Sequence, residues 1–359
     1  MNRPFFSVVM PAYQAEKYLG TAIESIRRQS FEDWELLIID DCSSDKTFEI
    51  ASDYEKKDSR IRVIHREKNA GVSEARNLGI TMAQGKYLWF VDADDTVEET
   101  ILSRVYDSLQ ENPAKLVVFG LVEEYYSQDG KLEYKNTRKP PRMLLNTERD
   151  VRKQIILLEQ QTLYGYPWNK VYDLIYMKNL GIRFEDYRKA KFIEDILFNI
   201  QFCMDIDSMN LLSAAPYHYA KRANESLTNE FVPEYYRLHR RRIETLWKQQ
   251  KYWKIDMQRS RKILGGLFCR YILSALERNY DKRADISFLE RRRFCRQIFA
   301  DPLFLELVPY GKAEDSRMLK IALKLMQTKN VTLNLLFAFC IHLVRSKLPV
   351  IYSKVKSGR

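Results

Sequence analysis

The first 120 residues alternate between short apolar, β-branched runs and longer segments with helical spacing, and this alternation constrains the fold most tightly. "FFSVVM" (5–10), "WELLIID" (34–40), "IRVIH" (61–65), "YLWFV" (87–91) and "KLVVFGLV" (115–122) read as strands. Between them, "YLGTAIESIRRQ" (18–29) places Leu19, Ile23 and Ile26 on one helical face. "SSDKTFEIASDYEKK" (43–57), opened by a capping serine, "SEARNLGITMAQ" (73–84), closed near Gly85, and "VEETILSRVYDSLQ" (97–110) read as further helices. Strands and helices joined by short loops predict βαβ units on a mostly parallel sheet, the α/β class. Such open sheets bind ligands beyond the carboxyl ends of their strands. That edge collects Pro11 to Tyr13, the pair Asp40–Asp41, and "DADD", in which Asp92, Asp94 and Asp95 directly follow an apolar strand. Carboxylates crowded at a strand end repel one another unless a cation neutralises them. Mg²⁺ or Mn²⁺ suits the arrangement, taking one or two carboxylates with substrate phosphates completing its shell. The alternative for the triplet alone is a solvated, helix-capping loop.

The pattern changes after about residue 123. "EEYYSQDGKLEYK" predicts a hairpin around Asp129–Gly130, followed by a polar loop with Pro140–Pro141. "ERDVRKQIILLEQ" (148–160) and "FIEDILFNIQFCM" (192–204) read as helices, the second with Ile193, Ile196, Leu197 and Ile200 inward. "NLLSAAPYHYAKR" (210–222) is strand-like. From about 232 the chain reads as helical, basic and rich in Tyr, Trp and Arg. Residues 221–359 hold 30 Lys and Arg against 13 Asp and Glu, whereas the preceding 220 hold 29 against 35. This asymmetry predicts two regions, 1–230 and 231–359, the second facing a polyanion.

The quoted stretches "SVVMPAYQAEKYLGTAIESIRRQSFEDWELLIIDDCSSDKT", "NAGVSEARNLGITMAQGKYLWFVDADD" and "FIED" resemble glycosyltransferase family 2, the inverting nucleotide-sugar transferases of GT-A (Rossmann-like) fold. The resemblance is dense over 5–100 and sparser over 160–230. It implies a nucleotide-sugar donor, UDP-linked, and a divalent cation, Mn²⁺ or Mg²⁺. Pro11, Ala12 and Tyr13 would line the uracil pocket, Asp41 would accept from the uracil imide, and Asp40 would support the loop. Arg76 would approach the nucleotide or else form a helix-face salt bridge. Asp94 would ligate the metal, Asp92 would serve ribose or metal, and Asp95 would steady the loop or touch the sugar. Asp195, with Glu194 beside it, would be the base. Adjacent helix positions diverge by about 100°, so one of the two faces the sugar. Trp168 would pack on a sugar or in the core, and Lys221 and Arg222 would reach the diphosphate or solvent. Where members of the family often carry Asn and Gly, this chain has Gln14 and Cys42.

Five widely spaced cysteines form no CxxC pair and read as buried apolar residues or free thiols in a reducing compartment. His65 and His218 have no partners at metal-ligand spacing and read as structural. The start lacks a secretory pattern, and no apolar run reaches the roughly 20 residues a bilayer requires. "VTLNLLFAFCIHLV" (331–344) is the nearest, interrupted by Asn334 and His342. A cytoplasmic protein is expected, with the alternative of peripheral attachment to the inner face of the plasma membrane. The basic tail would meet an anionic membrane there, serving a glycan or lipid-linked acceptor, or else pack on the catalytic domain with a solvated basic face. No nucleic-acid motif accompanies the charge. The competing class is a non-catalytic membrane- or polyanion-binding protein on a degenerate transferase scaffold. Such a scaffold would have lost Asp41, the DxD or the base, and the sequence keeps them all.

Overall fold

The computed structural model describes residues 3–127, 129–222, 231–313 and 316–347. The chain divides into two compact units, Met1–Asn229 and Glu230–Arg359. Parts of two expected segments lie outside the described residues: Gln128 of the hairpin, and 314–315 and 348–359 of the tail.

The first unit contains strands β1 (Phe6–Ala12), β2 (Trp34–Asp40), β3 (Ile61–His65), β4 (Tyr87–Phe90), β5 (Thr96–Val97), β6 (Leu116–Val118), β7 (Leu121–Tyr126), β8 (Leu132–Arg138), β9 (Met143–Leu145), β10 (Lys170–Asp173), β11 (Met209–Leu211) and β12 (Tyr217–Arg222). Its helices are α1 (Leu19–Arg27), α2 (Thr47–Lys57), α3 (Val72–Met82), α4 (Ile101–Glu111), α5 (Glu148–Gln160), α6 (Leu174–Asn179), α7 (Tyr187–Ala190) and α8 (Glu194–Phe202). One sheet runs β3-β2-β1-β4-β10-β6-β11-β9, with β10 and β9 antiparallel to their neighbours. A smaller one runs β5-β12-β7-β8.

The order 3-2-1-4 reverses between β1 and β4, which is the switch point where an open sheet leaves a crevice. In register, Ala12 faces Asp40 and Asp40 faces His65, so three strands finish level. β4 pairs with β1 only as far as Val9–Phe90. The strand β1 therefore outruns β4 and reaches Ala12, beyond the expected end at residue 10. Pro11 is tolerated because Val9 O accepts from Val91 N, so residues 9 and 11 both turn their polar groups toward β4, which has already ended. A Cβ on Gly79 would come within 2.2 Å of Val9 Cγ1. That glycine lets α3 lie tight on β1, carrying Arg76 under the sheet edge.

Several boundaries differ from the sequence expectation. The run 115–122 is two strands in different sheets, parted at Gly120, where a Cβ would sit 2.2 Å from Arg138 O. The run 210–222 likewise splits into β11 and β12. Thr96–Val97 pairs with β12, so α4 starts at Ile101 instead of 97. Helix α2 begins at Thr47; Asp45 Oδ1 takes the Thr47 N–H, while Ser43 Oγ accepts from Gln14 N.

The second unit is helical: α9 (Tyr235–Trp253), α10 (Met257–Arg278), α11 (Phe288–Ala300), α12 (Pro302–Leu307), α13 (Arg317–Gln327) and α14 (Val331–Lys347). The helix α10 is its centre, touching each of the others. Among the described residues no helix is long and apolar enough to cross a membrane.

Candidate active site

The ends of β1 and β2 form one wall. Tyr13, half exposed, stands beyond the buried Pro11–Ala12 step and offers a ring to a ligand. Asp40 is buried and binds His65 Nδ1 at 2.6 Å, leaving its Oδ1 without a hydrogen bond among the described residues. Asp41 accepts from Arg66 Nη1 at 2.7 Å, from Gly71 N at 2.7 Å and from Ala70 N. It thus ties the loop after β2 to the start of α3. Gln14 and Cys42 both have left-handed backbone, φ 50 and 64. Asn and Gly tolerate that region best, which explains the residues usual there. Cys42→Gly is expected to raise stability by about 1 kcal/mol, seen as a melting temperature higher by roughly 2–4 °C.

The "DADD" loop forms the floor. Burial, reinforced by the adjacent Asp94 and Asp92 charges, pushes the Asp95 carboxyl well above the carboxylate range. Its two oxygens accept from Tyr217 Oη at 2.8 Å and Ala220 N at 2.9 Å. The same Tyr217 hydroxyl accepts from Asp92 N at 3.1 Å. Asp95 therefore fastens the loop to β12, and Asp92 and Asp94 are left closer to solvent. Asp94 is half exposed, with Arg222 Nη1 at 3.3 Å and Arg222 Nη2 on its carbonyl. Arg222 itself lies over the Tyr18 ring at 3.7 Å. Lys221 turns to the buried Glu123 and Tyr125 Oη. His218 binds Glu124. Among the described residues no three side chains form a metal cage. A pair of carboxylates, one half exposed, fits a hard cation whose remaining ligands are phosphate and water.

The third component arrives from far along the chain. Arg76, 4% exposed, donates from Nη2 to Asp92 Oδ1 at 3.0 Å and from Nη1 to Asp195 Oδ1 at 2.7 Å. Glu194 Oε1 lies 3.9 Å from the same Nη1. Burial alone would lower the guanidinium pKa, but Asp195, Asp92 and Glu194 reverse that and raise it. Burial pushes Asp195 up to about 6, against the pull of Arg76. Glu194 is pushed well above the usual range by burial and by Asp195, and its buried Oε2 has no hydrogen bond among the described residues. Asp195 is 21% exposed where Glu194 is 7%, so Asp195 is the one open to a ligand.

Trp168 is buried and stacks on Tyr166 and Tyr217 with centroids 4.5 and 4.3 Å away, the core alternative. Lys170, next along "WNK", escaped the sequence reading. Fully buried, its Nζ donates to the carbonyls of Leu163 and Tyr166 and to Asn169 Oδ1, and burial lowers it to about 7. It fixes the 163–169 turn beneath the site. Tyr217 and Arg66 were also missed, because their roles come from strand pairing that no local pattern announces.

The profile of "Glycosyl transferase family 2" matches residues 7–173. Residues 7–173 are thus a glycosyltransferase family 2 domain. The chain is 31% identical over 228 residues to the uncharacterized glycosyltransferase EpsJ of Bacillus subtilis, 63% of each sequence. It is 27% identical over 231 residues to the poly(ribitol-phosphate) beta-N-acetylglucosaminyltransferase TarS of Staphylococcus aureus, 63% of this chain and 37% of TarS. It therefore spans less than two thirds of either relative. The crystal structure of S. aureus TarS 1–349 with UDP-GlcNAc superposes with a TM-score of 0.61 at 19% identity, covering 95% of this chain and 91% of that one. That likeness establishes the fold, a GT-A-type α/β architecture.

Proposed function

We propose that the protein is an inverting glycosyltransferase that moves a sugar from a UDP-linked donor to a hydroxyl of a glycan or lipid-linked acceptor in cell-surface polysaccharide synthesis. The carrying observation is the Arg76 bridge: one guanidinium holds both Asp92 of the DxD and Asp195, 103 positions apart, at 3.0 and 2.7 Å. The TarS complex with UDP-GlcNAc supports the choice of nucleotide.

In this reading Tyr13 stacks on the base and the Asp41 loop closes round it. Asp94, with Asp92, would hold a divalent cation, which when bound offsets the negative charge growing on the leaving diphosphate. Asp195 takes the proton of the acceptor hydroxyl as that oxygen attacks the anomeric carbon from the opposite face. The glycosidic C–O bond breaks and its electron pair leaves with the diphosphate. With its carboxyl near 6, Asp195 is ionised at neutral pH yet still basic enough to accept a proton. Glu194, its carboxyl pushed well above the usual range by burial and by Asp195, lies beside it.

The test is metal-dependent nucleotide binding. Asp94→Ala is expected to weaken Mn²⁺-dependent UDP binding at least tenfold in calorimetry, with metal-free binding little changed. Unchanged Mn²⁺ dependence would remove Asp94 from the metal role. The degenerate-scaffold alternative predicts no turnover of any UDP-sugar by the intact chain.

A further inference from the structure

In α9 to α11 several arginines fold onto the unit's own groups. Arg278 lies over Tyr235 at 4.4 Å, Arg291 over Tyr280 at 4.8 Å and Arg242 over Tyr271 at 5.5 Å. Arg240 pairs with Asp301 and Glu244. The alternation of basic and aromatic residues there builds the interior of the unit.

Helices α13 and α14 behave otherwise. Both pack on α10, and Asn334 Nδ2 of α14 donates to Leu325 O of α13 at 2.9 Å. On α14 the inner face is Leu335 and Ala338, with His342 and Arg345 both reaching the buried Glu277 of α10. The outer face exposes Leu333 (45%), Leu336 (58%), Phe339 (39%) and Leu343 (36%). Leu333, Leu336, Cys340 and Leu343 recur at 3-4-3 spacing, so the stripe is continuous along the helix. The outward positions of α13 are Arg317, Lys320, Ile321, Lys324 and Gln327. From 316 to 359 the sequence has nine Lys and Arg and no Asp or Glu.

We propose that the outer face of α13 and α14 is a docking surface for an anionic membrane. An exposed apolar stripe on α14, with outward cations on the adjoining α13 and no Asp or Glu in either helix, suits the headgroup region, where the apolar side chains enter and the lysines meet phosphate. Among the described residues no helix is long and apolar enough to cross a membrane, so α14 would lie along the interface. A second copy of the chain is the poorer occupant, because it would set Arg317, Lys320 and Lys324 of α13 against the same three cations. A nucleic acid would leave the leucines without a partner. The proposal does not depend on the reaction assigned to the first unit.

The full chain is tested by vesicle flotation on phosphatidylcholine alone and on an equimolar mixture with phosphatidylglycerol. Binding is expected on the mixed vesicles, at least about tenfold above the neutral ones, and is expected to weaken with salt. Leu336→Glu with Phe339→Glu should abolish it. Lys320→Gln with Lys324→Gln, which leaves the apolar stripe intact, should reduce it about 25-fold, near fivefold per charge. Both variants change exposed positions, and circular dichroism and UDP binding should match wild type. Equal capture by neutral vesicles, or none by either, overturns the proposal. So does a wild-type dimer that Leu336→Glu with Phe339→Glu dissociates while vesicles are ignored, which would make the face a self-association surface. Absence of UDP-sugar turnover with vesicle binding intact would instead count against the reaction alone.

Discussion

Asp195→Asn is expected to lower kcat/KM by about 10²–10⁴-fold, the usual worth of a positioned general base, while UDP affinity stays within about twofold. Asparagine keeps the shape and still offers Arg76 an oxygen, so the loss reads out the missing proton acceptor. The pH profile makes the test specific. Burial raises the Asp195 carboxyl from 3.8 to about 6, so the free enzyme loses its base as pH falls through 6. Wild-type kcat/KM should drop tenfold per pH unit below that point, and the variant should lack that limb. Stability runs the opposite way. A carboxyl raised in the folded state holds its proton more tightly there than unfolded, so its contribution is full below about pH 4 and is lost as pH rises through 6. Activity falling while this group's stabilising contribution grows on acidification separates the base from a residue that merely supports the fold. Full turnover by Asp195→Asn would remove it from the role.

How much of this was legible beforehand follows from the physics of each residue. The strands 34–40 and 61–65 and the helix 148–160 match the structure residue for residue, because each is a local pattern bounded by its own punctuation. The carboxylates at the strand ends were legible for the same reason: sheet polarity places them without any knowledge of partners. Splitting 115–122 between two sheets was not legible, since what ends β6 is the close passage of Arg138 and Lys139 past Gly120, a contact made far along the chain. Tyr217 was equally silent. Its hydroxyl matters only because β12 pairs with Thr96–Val97 just after "DADD". The basic tail shows the opposite limit. Its composition was plain, but which cations serve the unit's own rings and which face outward depends on packing around α10.

Arg76→Lys is expected to leave a folded protein with kcat/KM reduced at least a hundredfold, and Arg76→Met to destabilise the first unit by about 3–5 kcal/mol. The guanidinium is nearly inaccessible and spans two carboxylates through separate nitrogens. A lysine ammonium retains the charge but is a single point on a flexible stem, so it cannot fix Asp92 and Asp195 at once. Methionine fills similar volume and leaves Asp92, Asp195 and Glu194 facing one another without a counter-charge. The remaining carboxylates would then recruit protons, and the acid limb of kcat/KM should move above 6 in any Arg76→Met protein that stays folded. Chemical denaturation measures the first effect and the pH profile the second. If Arg76→Lys kept wild-type kcat/KM with an unmoved limb, the bridge would be only a packing device. A hundredfold loss in a protein of near-normal stability would instead mean that catalysis depends on holding the metal-side aspartate and the base in fixed relation. A single charge on α3, itself pressed onto β1 at Gly79, would then set the spacing of the whole site.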